Sequence, residues 1–257
     1  MSAQSIYRWR DGALEPLEYC DMTATAIVAA DSWLVTEGNA LALDAHHARF
    51  LSSIPGTELD AAAFWDAAIA LIPREGDWFP RVEWQRSELG GARLIFRLRS
   101  APERRRSVRL ATWPGDDPRS APLVKGPDLE SLLRIRTSVQ PGADEAVLLS
   151  PDGYVAEGAT TALLWWRGEI LCGPPADLDW LPSVTARSVL TLATALGFET
   201  YEEAVTPTEL DGTELWALNA LHGIRIATKW IDGPGLAEKP GRLAQWRTRL
   251  GALRKPI

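Results

Sequence analysis

A proline-rich interruption near the middle of the chain most constrains how this sequence can fold. Residues 114–122 read PGDDPRSAP and contain three prolines and one glycine. Because proline fixes φ and lacks a backbone N–H, this stretch is incompatible with a regular helix or a central strand. The 257-residue chain also exceeds the usual size of one domain, about 150 residues. We therefore predict an N-terminal domain at 1–113, an interdomain linker at 114–122 and a C-terminal domain at 123–257.

The composition is that of a globular protein and disfavours several functional classes. Hydrophobic residues make up 46% of the chain, which is enough apolar surface to drive folding. The net charge of -7 disfavours general nucleic-acid binding, because phosphate backbones attract basic proteins. With only Cys20 and Cys172, we expect no disulfide framework and a reducing compartment. Neither a signal peptide nor a bilayer-spanning apolar run is found, so we predict a soluble, cytoplasmic protein without a membrane partner.

Hydrophobic periodicity and turn residues predict an α+β fold with antiparallel hairpins. Residues 92–99 alternate as in a half-buried strand, and a helix is predicted over 59–72. Further helices are predicted at 128–138, capped by Asp128, and between the cap Ser183 and the terminating Gly197. Asp-Gly and Arg-Gly pairs between neighbouring strands are typical of hairpin turns. The remaining predicted elements are strands at 143–149, 153–157, 161–166, 169–172, 198–204, 214–219 and 224–230, and a helix near 240–252.

Several common catalytic motifs are absent from the sequence. No Gly-x-Gly-x-x-Gly follows a predicted strand and no P-loop occurs, which disfavours dinucleotide and nucleoside-triphosphate enzymes. No Gly-x-Ser-x-Gly nucleophile motif occurs either. His46, His47 and His222 are the only histidines, and two adjacent histidines on a helix point in different directions. We therefore predict no metal site.

Four features carry chemistry, although each is also typical of an ordinary structural residue. Lys125 is the only lysine among the first 228 residues, and a neutral lysine amine can form an imine with an aldehyde cofactor. Glu157 ends a predicted strand and is of the type that holds a proton on a ring nitrogen. Residues 183–185 open a helix, whose first N–H groups can bind an anion. Arg49 is a candidate phosphate clamp.

These features belong to blocks that stand in a fixed order between about residues 28 and 233. The blocks are DSWLV at 31–35 with Gly38, Leu43, His46, Arg49 and Ser53; Lys125; GADEA at 142–146 and DGYVAEG at 152–158; LPSVT at 181–185; and NALHGI at 219–224. In this order they resemble the class IV, or fold-type IV, family of pyridoxal 5'-phosphate (PLP) enzymes. That family includes branched-chain and D-amino-acid aminotransferases and 4-amino-4-deoxychorismate lyases.

The resemblance implies a fold, a cofactor and a set of site residues. The expected fold has two α/β domains, a smaller N-terminal sandwich and a larger C-terminal pseudo-barrel. Lys125 would be the catalytic lysine that forms a Schiff base with PLP. A homodimer with active sites near the subunit contact is also implied. The residues expected to bind the cofactor are Arg49, Glu157, Val184, Thr185, Asn219 and Ala220.

Departures from the family pattern indicate an unusual substrate pocket. Asp128 and Leu129 stand where the family often has Asn and Tyr after the lysine. The glycine of the phosphate-binding motif is Ser183, and Ala186 replaces the arginine that usually follows. The substrate-side candidates are Ser32, Arg97, Arg99, Thr160 and Thr161.

The resemblance leaves three functional hypotheses. The leading one is amino-group transfer between an amino acid and a 2-oxo acid through Lys125. The second is 4-amino-4-deoxychorismate lyase activity, which releases pyruvate and 4-aminobenzoate; the Asn219-Ala220-Leu221 loop and the Ser32 hydroxyl favour it. The third is a catalytically silent homologue that acts as an interaction module.

Overall fold

The computed structural model of the chain describes residues 4–17, 25–54, 60–87 and 91–257. It divides into two compact units, in which unit 1 comprises Met1–Glu103, Val124–Pro127 and Leu253–Ile257, and unit 2 comprises Arg104–Leu123 and Asp128–Ala252. Residues 114–122 form no helix or strand, as predicted. The unit boundary, however, lies at residue 103 and not at 114–122, because the strand that precedes this stretch pairs with strands of unit 2.

The helices and strands are short, and those that were predicted lie within a few residues of their predicted positions. The strands are β1 (Gln4–Arg10), β2 (Ala13–Pro16), β3 (Thr25–Ser32), β4 (Val35–Thr36), β5 (Asn39–Leu41), β6 (Asp77–Trp78), β7 (Arg81–Ser87), β8 (Ala92–Arg99), β9 (Ser107–Thr112), β10 (Glu145–Leu149), β11 (Val155–Gly158), β12 (Ala162–Arg167), β13 (Ile170–Gly173), β14 (Thr200–Glu202), β15 (Glu214–Asn219), β16 (Gly223–Ile231) and β17 (Arg254–Pro256). The helices are α1 (Leu43–Ser52), α2 (Ala61–Ala70), α3 (Leu129–Ser138), α4 (Val184–Ala195) and α5 (Arg242–Gly251). The helix predicted over 59–72 is α2, and Leu59 lies outside the described residues.

Unit 1 is built on a five-stranded antiparallel sheet that has one apolar and one polar face. The strand order is β2-β1-β8-β7-β3. Because side chains alternate along β7, Val82 and Trp84 enter the hydrophobic core, whereas Glu83 points to the other face. Phe50 of α1 and Phe64 of α2 join the same core. A smaller sheet of order β17-β5-β4-β6 completes the unit.

Unit 2 is built on one eight-stranded mixed sheet of order β11-β10-β9-β16-β15-β12-β13-β14. The predicted hairpins β10–β11 and β12–β13 are antiparallel, and so is the pair β15–β16. The sheet also contains parallel pairs, since β9 runs parallel to both of its neighbours and β13 runs parallel to β14. A connection that contains a helix permits parallel pairing, and α4 supplies one between β13 and β14.

Tryptophan side chains fill the interior of each unit. The side chains of five of them are each at most 2% exposed: Trp33, Trp84, Trp165, Trp216 and Trp246.

Within the described ranges, no helix is long and apolar enough to span a membrane. The same part of the chain contains no group of three or more His, Cys, Asp or Glu residues arranged to hold a metal ion.

Candidate active site

The main chain around Lys125 is fixed against strand β3 of unit 1. The backbone N–H of Ala30 donates to the carbonyl of Lys125 at 2.6 Å. Gly126 follows with a φ of +145°, and a Cβ there would lie 2.7 Å from the Cα of Ala29. Only glycine fits so close an approach at this φ. Lys125 is therefore carried on a segment whose path is set by backbone contacts.

Replacing Gly126 with alanine is expected to destabilise unit 1 by about 3 kcal/mol, because the new Cβ adds backbone strain and a steric clash. Urea denaturation of the purified variant measures this loss. Gly168→Ala is the matched control, since Gly168 has a φ of +61° but no atom within 4 Å of the added Cβ. That control should lose only about 1 kcal/mol. Equal losses in the two variants would contradict a clash at Gly126.

Arg49, the predicted phosphate clamp, lies in a buried charged cluster with Asp31. The Nε and Nη2 of Arg49 donate to Asp31 at 2.8 and 2.9 Å. His46 Nδ1 lies 2.8 Å from Oδ1 of the same carboxylate, which also accepts the N–H of Ser32 at 2.7 Å. Burial alone would raise the pKa of Asp31, but His46 and Arg49 outweigh it and hold that pKa well below its usual range. Ser32, a predicted substrate residue, is itself buried beside this cluster.

Arg97 and Arg99 lie together on the polar face of the unit 1 sheet, as their spacing predicted. They are joined there by Arg81, which is the cross-strand partner of Arg97. The carboxylate of the fully buried Glu83 contacts Arg81 and accepts from Arg97 Nε at 2.7 Å. Burial, together with the positive charges of Arg81 and Arg97, lowers the pKa of Arg99 to about 10, although Glu83 opposes the shift. The cluster therefore has more positive than negative charge.

In unit 2, the carboxylate of Glu157 contacts the guanidinium of Arg119. Glu157 lies on β11 and its side chain is 9% exposed, while that of Arg119 is 5% exposed. The contact joins Arg119 Nη1 to Glu157 Oε1. Asp117 and the carbonyl of Asp179 bind the same guanidinium. The predicted ring-nitrogen partner is thus a buried carboxylate inside a charged network.

The N-terminus of α4 has the geometry of an anion site. The hydroxyl of Ser183 accepts the N–H of Ala186 at 3.2 Å and so caps the helix, as predicted. Val184 and Thr185 occupy the first turn, where N–H groups have no acceptor within the helix. Both residues are buried. Their amides and the helix dipole favour a phosphate group.

Asn219 connects two turns of unit 2. Its Oδ1 accepts the N–H of His222 at 2.8 Å, and its Nδ2 donates to the carbonyl of Thr160 at 3.3 Å. Ala220 follows in the turn between β15 and β16. Burial, and then the positive charges of nearby arginines, lower the pKa of His222 to about 4. The predicted Asn219–Ala220 loop therefore has a defined shape and a histidine that is neutral at physiological pH.

The two threonines predicted on the substrate side differ in their surroundings. The N–H and the hydroxyl of Thr160 both donate to Glu145, which is fully buried and lies 3.7 Å from Arg225. Burial raises the pKa of Glu145 more than Thr160 and the nearby arginines lower it. The N–H and hydroxyl donors of Thr160 are therefore already hydrogen-bonded within the protein. Thr161 Oγ1, in contrast, is buried and has no hydrogen-bond partner among the described residues.

Sequence reasoning missed the partners of the predicted site residues. Asp31 was recognised only as part of the DSWLV block, because its pairing with Arg49 has no local signal. Arg119 lies in the stretch interpreted as a linker and so received no role. The prediction that Asp128 caps α3 was wrong for its side chain, because the Asp128 carboxylate accepts from Ser120 and Ala121 instead.

Known proteins show the same family and fold. Residues 29–230 match the model of the amino-transferase class IV family. A branched-chain-amino-acid aminotransferase of Pseudomonas aeruginosa is 33% identical over 85 residues, which are 33% of this chain and 27% of that protein. A probable branched-chain-amino-acid aminotransferase of Synechocystis is 30% identical over 107 residues, or 40% of this chain and 35% of that protein. The matched segments thus span about a third of these relatives' lengths.

Solved structures agree on the fold. The fold IV transaminase CpuTA1 of Curtobacterium pusillum has a TM-score of 0.81 at 18% identity, with 97% of each chain covered. A putative 4-amino-4-deoxychorismate lyase of Legionella pneumophila has a TM-score of 0.74 at 17% identity, covering 90% of this chain and 91% of that one. The expected fold-type IV architecture is therefore confirmed. Since the family match covers most of the chain, this protein belongs to the class IV aminotransferase family of PLP-dependent enzymes.

Proposed function

We propose that this chain is an aminotransferase that moves an amino group between an amino acid and a 2-oxo acid, with Lys125 as its catalytic lysine. The observation that carries the proposal is the family match over residues 29–230, which includes Lys125, Glu157 and the first turn of α4. The branched-chain aminotransferases among the relatives support amino-group transfer.

The residues of unit 2 fit PLP. The carboxylate of Glu157 is buried and matches the N–H of a protonated pyridine ring. The buried first turn of α4, with Val184 and Thr185, matches a phosphate group. The hydroxyl of Thr161, which lacks a partner among the described residues, supplies a further donor for a ligand oxygen. A buried polar atom of this kind is expected where a ligand completes the hydrogen bonding.

Each residue would have a distinct task. PLP, when bound, supplies an electron-accepting ring that stabilises negative charge at the substrate Cα. The amine of Lys125 would hold the cofactor and then move the Cα proton. Glu157 would keep the proton on the ring nitrogen. The amides of Val184 and Thr185 and the Asn219–Ala220 turn would hold the phosphate. Arg49, the phosphate clamp that the resemblance implies, is bound to Asp31 within unit 1.

Activity assays with the purified protein test the proposal. Incubation with PLP should give a visible absorbance band, and an amino acid should be consumed only when a 2-oxo acid is added. A protein that never takes up PLP would support the silent-homologue hypothesis and overturn the proposal. Substrate screens with branched-chain amino acids come first, because the relatives include branched-chain aminotransferases.

We also propose that the protein is a homodimer. Light scattering of the purified protein measures its molar mass and so tests this proposal.

The second candidate is 4-amino-4-deoxychorismate lyase activity. Asn219, which favoured this candidate in the sequence, bridges the Thr160 carbonyl and the His222 amide, so the loop that resembles the lyase branch has a defined conformation. The two activities differ in their need for a second substrate. Formation of pyruvate and 4-aminobenzoate without any added 2-oxo acid would favour the lyase over the aminotransferase.

The arginine cluster of unit 1 supports a substrate that carries an extra acidic group. In the described part of the chain, the Glu83 carboxylate contacts Arg81 and Arg97, whereas Arg99 donates to the carbonyl of Phe79, so these three arginines outnumber the carboxylate among them. Partly buried guanidinium groups favour a carboxylate, because charge-assisted hydrogen bonds are strong where water is scarce. We therefore propose that the amino acceptor or donor includes a dicarboxylic acid.

Arg99→Met is expected to raise the KM for a dicarboxylic 2-oxo acid about tenfold, as removal of one charged hydrogen bond predicts. The KM for a monocarboxylic 2-oxo acid should stay unchanged. Stability should not fall, because Arg99 is bonded to a carbonyl and is repelled by its arginine neighbours. Arg93→Met, on the same strand and bonded to Gln85, is the matched control. Equal changes for both substrates would contradict the acidic-group proposal.

A further inference from the structure

Arg119 is held by its own loop, through Asp117, and by two other segments of unit 2, through Glu157 and Asp179. Its Nε and Nη2 donate to the carboxylate of Asp117 at 2.9 and 2.6 Å. Its Nη1 donates to the carbonyl of Asp179 at 2.9 Å and also contacts Oε1 of Glu157. The side chain is 5% exposed. A guanidinium with so many fixed partners has one orientation, and it presents one N–H group to Glu157.

The contact with Arg119 places a positive charge beside the carboxylate of Glu157. A carboxylate buried without a partner takes up a proton easily, because burial disfavours its charged form. Burial also disfavours the charged form of Arg119 and so lowers its pKa, but Asp117 and Glu157 outweigh burial and raise the pKa of Arg119. Arg119 is therefore a permanent positive charge in direct contact with Glu157. Such a charge favours the ionised carboxylate.

We propose that Arg119 is a positioning residue that keeps Glu157 ionised and aimed at the ring nitrogen of PLP. The inference rests on the proposed function, because it assigns Glu157 to that nitrogen. It follows that the shared proton stays on the ring nitrogen and does not pass to Glu157. A protonated ring withdraws electrons more strongly, so Arg119 would support catalysis without touching the cofactor.

Asp117 limits the effect of Arg119 to its immediate neighbour. A lone guanidinium would also repel a protonated ring, and Coulomb interactions between unit charges remain strong at short range in a buried site. The bidentate ion pair with Asp117 cancels most of the arginine charge at a distance. The direct hydrogen bond to Glu157 is retained. The row Asp117, Arg119, Glu157 thus alternates in sign, and a protonated ring nitrogen continues the alternation.

Nitrogen-15 NMR of the holoenzyme loaded with ring-labelled PLP tests the proposal at one fixed pH. The wild type should give the chemical shift of a protonated ring nitrogen. Arg119→Gln should move the shift toward that of the unprotonated ring, and the dissociation constant for PLP should rise at least about tenfold. Arg119→Lys should retain the protonated shift. Arg167→Gln is the matched control, since Arg167 also binds a carboxylate, Glu203, and a carbonyl, that of Glu209.

Two further variants separate positioning from simple support of the loop. In a Glu157→Gln background, Arg119→Gln should cause little further loss of PLP affinity, whereas a purely structural arginine would give additive losses. Asp117→Asn keeps the contact between Arg119 and Glu157 but leaves the guanidinium without its neutralising carboxylate, so the ring shift should move part of the way toward the unprotonated value. If Arg119→Gln fails to fold, Arg119→Lys is the test, and loss of the protonated shift in that variant would overturn the proposal. An unchanged ring shift in Arg119→Gln defeats only this inference, whereas a wild type without bound PLP defeats the proposed function.

Discussion

Replacing Lys125 with alanine is expected to lower turnover by at least about 10⁴-fold, because one change removes both the tether of the cofactor and the proton-transfer group. The protein should still fold, since the main chain at this position is held by its carbonyl, which accepts from Ala30 and does not depend on the side chain. Steady-state rates and circular dichroism of the same preparation measure both expectations. Added PLP should no longer become attached when borohydride is supplied.

Lys229 provides the matched control for this variant. It lies on β16, is exposed and belongs to unit 2. Lys229→Ala should retain wild-type turnover and borohydride labelling. Peptide mapping of the reduced wild type should find the label on the peptide that contains Lys125. Near-normal turnover in Lys125→Ala, or a label on another lysine, would rule out the catalytic assignment.

The fold could be predicted from the sequence wherever the signals were local. The helix that begins after Ser183 and ends before Gly197 was recognised from its cap and terminating glycine, and α4 has these limits. The residues of strand β9 fall within the predicted first domain, 1–113, because no local signal identifies the partners of a strand. Its pairing with β10 and β16 depends on residues far away in the chain.

The candidate site was predictable at the level of residues but not of their partners. Lys125 and Glu157 lie in ordered motifs, so a family pattern located them. The ion pairs that surround the motif residues join positions far apart, such as Asp31 with Arg49 and Arg119 with Glu157. No periodicity links such positions, because the contacts exist only once the loops and strands have folded. The ion pairs of the candidate site could therefore be identified only from the structure.

Asp31→Asn is expected to lower the free energy of unfolding by about 3–5 kcal/mol, the usual cost of removing one partner from a buried ion pair. Asp31 is fully buried and accepts hydrogen bonds from Arg49 and from the N–H of Ser32. His46 Nδ1 lies 2.8 Å from the same carboxylate. Asparagine has nearly the same shape as aspartate but no charge, and its amide N–H₂ group would meet hydrogen-bond donors that now point at the carboxylate. The variant therefore leaves the partly buried Arg49 guanidinium without its counter-ion. Urea denaturation at neutral pH measures the loss.

The pH dependence of this loss identifies its cause. Because the pKa of Asp31 is depressed in the folded protein, its contribution to stability is fully present above the unfolded value of about 3.9 and is lost as the pH falls toward the folded value. The difference between wild type and Asp31→Asn should therefore not shrink between neutral pH and about pH 5, and should shrink in stronger acid. Asp66→Asn, an exposed change on α2, should alter stability by no more than about 0.5 kcal/mol. A difference that already shrinks between neutral pH and pH 5, or a loss no larger than that of Asp66→Asn, would mean that Asp31 is not the buried counter-ion of Arg49.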